Sequence, residues 1–171
     1  LVYLPAYNCG RVIMSVLDEV PTPIWEIADF LVVDNCSTDN TVELLLQANA
    51  DKRFPRRVDV VRPPRNLGYA GSQKLAYNLA LASPSVERVI MLHGDGQYPP
   101  ELLNEYLPLL DSEFGVVYGY RDKRVHGSLE ETPFGAYFTI KAMSALESIV
   151  TGYHRKEWHT GFVMYARSFL D

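Results

Sequence analysis

The chain has 171 residues, of which 47% are hydrophobic and 22% charged. That is enough to bury one sizeable core, and it excludes a disordered segment and a disulfide-dense miniprotein. Sixteen Lys and Arg against 21 Asp and Glu give a formal charge of -5, which argues against a nucleic-acid binder held by phosphate neutralisation. Cys9 and Cys36 make no metal-ligand spacing, and a reducing compartment such as the cytoplasm is expected.

In chain order, short apolar runs alternate with longer stretches of helical period, the pattern of an α/β domain with a mostly parallel sheet flanked by helices. Leu1–Pro5 reads as the first strand, followed by a helix over Arg11–Val20 that Pro21 and Pro23 end. Phe30–Asp34 is the second strand. After it, 37–40 supply cap chemistry for a helix to about Gln47, with Val42, Leu45 and Leu46 on its buried side. Val58–Arg62 is the third strand, and the helix from Gly68 carries Leu75, Leu79 and Ala82 until Ser83-Pro84 stops it.

Arg88–Leu92 is the fourth strand. Pro99 and Pro100 suit a first helical turn, Leu102, Leu103, Tyr106, Leu107 and Leu110 form its stripe, and Pro108 is expected to kink or end it. Gly115–Tyr120 reads as a fifth strand and 121–133 as a long loop. A helix follows over Phe134–Val150, ended by Gly152, with Ala142, Ala145, Leu146, Ile149 and Val150 expected against the sheet; Gly161–Ala166 is the last strand. One domain over 1–171 is expected, and no apolar run reaches the length of about 20 residues that a membrane span needs. Because Leu1 already reads as strand, the chain is expected to be a fragment of a longer one.

Ligands of open parallel sheets bind beyond the carboxyl ends of the strands. There this sequence places Pro5-Ala6-Tyr7-Asn8, then 34–39, then Arg65-Asn66-Leu67-Gly68 with Gly71, then His93-Gly94-Asp95-Gly96-Gln97. Asp34 can accept from a ribose hydroxyl or base N–H, or serve as a turn and helix-end charge; Ser37 and Asp39 read as caps before ligands. Asn66 and Gly68 precede a helix N-terminus that favours phosphate, with Arg65 and Lys74 nearby, or they permit a tight turn. Asp95, in a Gly-Asp-Gly turn, suits a divalent ion on a diphosphate or a capping turn. Glu157 is a candidate general base, and His159 a candidate phosphate or metal ligand.

Taken together, the segments around Pro5-Ala6-Tyr7-Asn8, Val33-Asp34-Asn35-Cys36-Ser37, Asn66-Leu67-Gly68, Leu92-His93-Gly94-Asp95-Gly96-Gln97 and 157–167 resemble the inverting family 2 glycosyltransferases of GT-A fold. Within them, the chain is similar to the dolichyl-phosphate mannose synthase-like group. The resemblance implies a Rossmann-like sheet, with a donor half over about 1–100 and an acceptor half over about 101–171. It implies transfer of a sugar from a UDP- or GDP-linked donor to a polyprenyl phosphate or a saccharide, with Mg2+ or Mn2+ as cofactor.

By residue, Pro5, Tyr7 and Asp34 would hold base and ribose, with Asn66 and Gly68 beside them. Asp95 would bind metal and diphosphate, and Gln97 would lie near the transferred sugar. Two positions depart from the family pattern: Asn35 stands where the motif has a second acid, and His93 where the metal motif has its first. His93 is accordingly a candidate metal ligand. A hydroxyl acceptor needs Glu157 as base, whereas a phosphate acceptor needs cations, for which Arg121, Lys123, Arg124, Arg155, Lys156 and Arg167 are available, with His159 beside them. A lipid acceptor would bring the protein to the cytoplasmic face of a membrane. A nucleotidyltransferase and a non-catalytic nucleotide-sugar-binding domain are the competing functions.

Overall fold

Two apolar runs, Val2–Ala6 (β1) and Phe30–Asp34 (β2), lie side by side inside a six-stranded sheet in the computed structural model, which describes residues 1–111, 115–119, 134–154, 158 and 160–170. The other strands are β3 (Val58–Val61), β4 (Arg88–Met91), β5 (Val116–Tyr118) and β6 (Val163–Ala166), and the spatial order is β3-β2-β1-β4-β6-β5. β1 pairs in parallel with β2 and β4, and β2 with β3, while β6 runs antiparallel to β4. Val2, Tyr3, Leu4 and all of β2 are buried, as strands covered on both faces must be.

Among the described residues the helices are α1 (Ile13–Asp18), α2 (Thr22–Ile27), α3 (Thr41–Ala50), α4 (Gly68–Ala82), α5 (Leu103–Tyr106), α6 (Phe134–Thr151) and α7 (Arg167–Leu170). Two compact units result: Leu1–Val117 with Phe162–Asp171, which holds most of the sheet, and Tyr118–Gly161. No helix of the described residues is long and apolar enough to cross a membrane.

The strands fall where the apolar runs place them, but several helical faces do not. Pro21 and Pro23 do not merely end α1; they open α2, because a proline in the first turn loses no hydrogen bond. In α3, Leu46 is exposed and Ala48 takes its place in the core beside Thr41 and Leu45. In α4 the buried line is Ser72, Ala76 and Ala80, whereas Leu79 and Ala82 are exposed. Small side chains at this spacing let the helix lie close to the sheet, and bulkier ones would hold it off.

The segment after β4 breaks into a 3₁₀ turn (Pro100–Leu102), α5, and a second 3₁₀ turn (Leu107–Asp111), so the continuous helix ends just before Pro108. Of the expected stripe, Leu103 is fully enclosed, and Leu102, Tyr106 and Leu107 are half-buried. In α6 the expected stripe is not buried: Ala142, Ala145, Leu146, Ile149 and Val150 are exposed, and Ser144 is buried instead. Trp158 Nε1 donates to Ser148 Oγ at 3.0 Å, and Ser148 Oγ donates to the Ser144 carbonyl at 2.7 Å, so the Ser148 hydroxyl ties Trp158 to this helix. The loop expected over 121–133 lies outside the described residues.

Candidate active site

β1 has β2 on one side and β4 on the other: the chain winds from β1 out to β3 and then crosses back to β4, and the carboxyl ends of β1 and β4 flank the crevice where the winding reverses. The loops after β1 and β2 are bonded to each other. Asn8, in the left-handed region at φ 54°, donates its backbone N–H to Ser37 Oγ at 2.9 Å, and its side-chain Oδ1 accepts from Thr38 N at 2.8 Å. Cys9 N donates to Thr41 Oγ1, and Gly10 N to Asp39 Oδ2, each at 2.9 Å. Asp39 also receives the Thr41 N–H at 3.1 Å, so it accepts the first amide of α3 and joins the two loops at once, although Asn40 is the cap position. Ser37, expected as a cap, gives its hydroxyl to the neighbouring loop instead.

The Thr41 hydroxyl, followed by the Gly10 and Thr41 amides, outweighs a smaller desolvation effect and holds the Asp39 carboxyl below the usual range. A depressed folded value contributes stability above the unfolded value of about 3.9, and that contribution is lost as pH falls through the folded one. The urea midpoint of the protein is therefore expected to fall more steeply between pH 5 and pH 3 than that of Asp39→Asn. Parallel profiles would remove Asp39 from the acid response.

Asp34 ends β2 with no exposure at all. Both its oxygens face the Ser37 N–H at 3.2 and 3.3 Å, and Arg62 Nη1 lies 3.5 Å from Oδ2. Arg62 also donates through Nη2 to the Ser37 carbonyl at 3.0 Å, and its side chain stays half exposed. A buried carboxylate needs such partners. The group presented to solvent here is thus the guanidinium, with Asp34 beneath it. No role for Arg62 follows from its local sequence; its position directly after β3, on the same edge as Asp34, is the available signal.

Asn35 is buried and Asn66 exposed. Asn35 Oδ1 accepts from Leu67 N at 2.7 Å, and Asn35 Nδ2 donates to Asn66 Oδ1 at 2.8 Å. Asn66 Oδ1 also accepts from Gly68 N at 2.8 Å, where Gly68 opens α4 at φ 67°. Asn35 and Asn66, separated by 31 residues, therefore shape one loop. Pro5 is half-buried and Tyr7 exposed beside it in sequence at the end of β1.

After β4 the chain turns sharply at Gly96, φ 75°. Gly94 lies against β1: a Cβ there would meet the Pro5 carbonyl oxygen at 3.3 Å. Asp95 Oδ1 accepts from Gln97 N at 3.1 Å, the capping bond of a turn, and Oδ2 lies 4.0 Å from His93 Nδ1. The Asp95 side chain is 42% exposed and that of His93 16%. His93 Nε2 is 3.4 Å from the hydroxyl of Tyr69, a second residue without an assigned role in the sequence. The ring of Tyr98 is 5.0 Å from His93 and stacks with Phe162 at 5.9 Å, so the approach to β6 packs on this turn.

These residues fit a divalent cation. With the His93 Nε2–H donated to Tyr69, the Nδ1 lone pair faces the Asp95 carboxylate, and a cation between them would relieve the juxtaposed negative ends. Among the described residues no third His, Cys, Asp or Glu joins them, so oxygens of a bound diphosphate would complete the shell, as hard cations in phosphate sites require. Glu157, Arg155, Lys156, His159, Arg121, Lys123 and Arg124 lie outside the described residues. Arg167 is not available as a phosphate cation: its guanidinium donates to the carbonyls of Ser83 and Leu81, each at 2.7 Å, and of Val86 at 3.1 Å, at the far end of α4.

Comparison with known proteins agrees with this layout. No curated protein sequence matches significantly. Among solved structures, residues 1–349 of S. aureus TarS match at 25% identity over 67% of this chain and 33% of that one, with a TM-score of 0.51. Glucosyl-3-phosphoglycerate synthase from Mycobacterium tuberculosis, in complex with phosphoglyceric acid, matches at 20% identity over 98% of this chain and 56% of that one, with a TM-score of 0.66. The same synthase with Mn2+, UDP and glucosyl-3-phosphoglycerate matches at 23% identity over the same shares, with a TM-score of 0.62. The chain thus spans a third to just over half the length of these proteins. The family model described as glycosyl transferase family 2 matches residues 1–171, from β1 to the segment after β6. With the α/β sheet, the crevice at its switch point and this full-length match together, the chain belongs to glycosyl transferase family 2.

Proposed function

We propose that this chain is the donor-binding and catalytic part of an inverting glycosyltransferase that takes a hexose from a UDP-sugar. The observation that carries the reading is the Asp95 turn. Its carboxylate is exposed at the β1/β4 crevice, held by one backbone N–H, and flanked by His93. Glycosyl transfer needs charge stabilisation where the diphosphate departs. A divalent cation held by Asp95 and His93, Mn2+ for its tolerance of imidazole, would supply that charge. The solved relatives bound to UDP and Mn2+ support the uridine donor and the metal.

Around it, Pro5, Tyr7 and Arg62 border the nucleoside, with Asp34 fixing Arg62 from below. Asn66 and Gly68 lie beside the nucleoside on the α4 side, and Gln97 lies near the transferred sugar. The donor half is 1–100 and the acceptor half 101–171. Inversion requires attack on the anomeric carbon from the side opposite the diphosphate, so a saccharide hydroxyl must lose its proton to a base on that side, and Glu157 is the proposed base. A polyprenyl phosphate, the acceptor of the dolichyl-phosphate mannose synthase-like group, is already ionised and would be held by Arg121, Arg155 and His159 at the cytoplasmic face of a membrane.

A labelled panel of UDP- and GDP-hexoses with Mn2+ tests the reading, with each acceptor class offered in turn. UDP release from at least one uridine donor is expected. Glu157→Gln is expected to lose transfer to a hydroxyl while keeping transfer to a phosphate. Nucleotide binding without release from any donor would identify a non-catalytic domain instead.

A further inference from the structure

We infer that Asn35 is a positioning residue that turns Asn66 into a hydrogen-bond donor for the nucleoside, an inference that rests on the donor-binding reading above. The orientation of both amides is dictated by backbone groups that can only donate. Leu67 N–H, at 2.7 Å, requires an oxygen from Asn35, so the Asn35 NH₂ faces Asn66. Gly68 N–H, at 2.8 Å, requires an oxygen from Asn66, and the Asn35 NH₂ meets that same oxygen at 2.8 Å. Asn66 Oδ1 thus carries two donors, and its Nδ2 has no protein partner among the described residues. Asn66 is exposed while Asn35 is buried, so the amide nitrogen is the part of this network free to meet a ligand. It suits a nucleoside acceptor such as a carbonyl oxygen or a ribose oxygen.

An acid at position 35 would reverse this. Its first oxygen would still accept from Leu67 N–H, but the second would face Asn66 Oδ1 across 2.8 Å. Asn66 would then rotate its NH₂ inward, strip Gly68 N–H of its acceptor and present an oxygen outward. The Asn at 35 therefore sets the polarity of the loop. The two positions respond differently to the same change, because Asn35 both donates and accepts, whereas Asn66 only accepts within the protein.

The test compares Asn35→Asp with Asn66→Asp, using UDP in the presence of Mn2+ as probe. Asn66→Asp keeps both accepted bonds but replaces the Nδ2 donor by a second, charged oxygen; it is expected to retain the melting temperature and the Gly68 amide protection, and to weaken UDP binding at least about fivefold, by loss of one hydrogen bond together with repulsion of the ligand's acceptor. Asn35→Asp is expected to weaken UDP binding by at least as much at pH 7, with faster exchange of the Gly68 amide. Its affinity relative to the unsubstituted protein should recover as the pH is lowered toward 4, where a protonated carboxyl donates again. Either variant binding UDP within twofold of the unsubstituted protein would overturn the inference while leaving the donor reading intact. If the unsubstituted protein bound neither UDP nor GDP, the donor reading itself would fall, and this inference with it.

Discussion

Replacing Asp95 with Asn is expected to leave the fold standing and to lower UDP release from a UDP-hexose roughly 100- to 1,000-fold. The two halves of that expectation come from different atoms of one side chain. Asp95 Oδ1 accepts the Gln97 N–H at 3.1 Å, and the Asn oxygen can take over that bond, so the turn survives. The side chain is 42% exposed and no other bond ties it to the fold, which limits the stability change to about 0.5 kcal/mol. What disappears is the charge on the Oδ2 side, which lies 4.0 Å from His93 Nδ1. An amide there would present N–H groups to the diphosphate and to any cation beside it. The paired measurements are initial rates of UDP release across a Mn2+ titration and a thermal melt. An unchanged rate would remove Asp95 from the reaction, and a melting temperature lower by several degrees would instead make it a folding residue.

That separation of roles was only partly legible in the chain. The strands were, because a strand buried on both faces reads as a near-continuous apolar run: 30–33 are apolar, and the strand Phe30–Asp34 ends where the first acid follows them. The positions of Asn66, Asp95 and their neighbours at the sheet edge follow directly from where those strands end. Helical faces were less legible, since the heaviest apolar residues do not always point inward. α4 buries Ser72, Ala76 and Ala80 where it lies close to the sheet and leaves Leu79 outside. α6 leaves Ile149 and Val150 exposed and buries Ser144 instead. Hydrophobic periodicity measures transfer free energy, whereas close packing is decided by volume. Least legible were bonds between distant residues. Nothing in the local pattern pairs Asn35 with Asn66, or shows that Asp34 would be covered by Arg62; those pairings exist only once β2 and β3 lie side by side.

The largest expected loss of stability comes from Arg167, a residue that cationic character alone would place at a phosphate. Its guanidinium is held where α4 ends, donating to the carbonyls of Leu81, Ser83 and Val86 at 2.7, 2.7 and 3.1 Å. A helix terminus leaves its last carbonyls without partners and carries partial negative charge, so a half-buried cation there supplies both hydrogen bonds and favourable field. Backbone pairing fixes the position as well: Arg167 N donates to the Glu87 carbonyl at 2.8 Å, next to the antiparallel register of Arg88 with Ala166. Arg167→Met keeps the aliphatic packing and removes every one of these donors, leaving the carbonyls to find water in a partly closed space. The expected cost is about 2–4 kcal/mol, or a melting temperature lower by roughly 10 °C for a chain of this size. Arg167→Lys restores the charge without the planar fork and is expected to recover less than half of the loss. Because this end of α4 lies away from Gly68, UDP affinity measured well below the melting temperature should be unchanged in both variants. Loss of affinity without loss of stability would return Arg167 to the phosphate-binding cations.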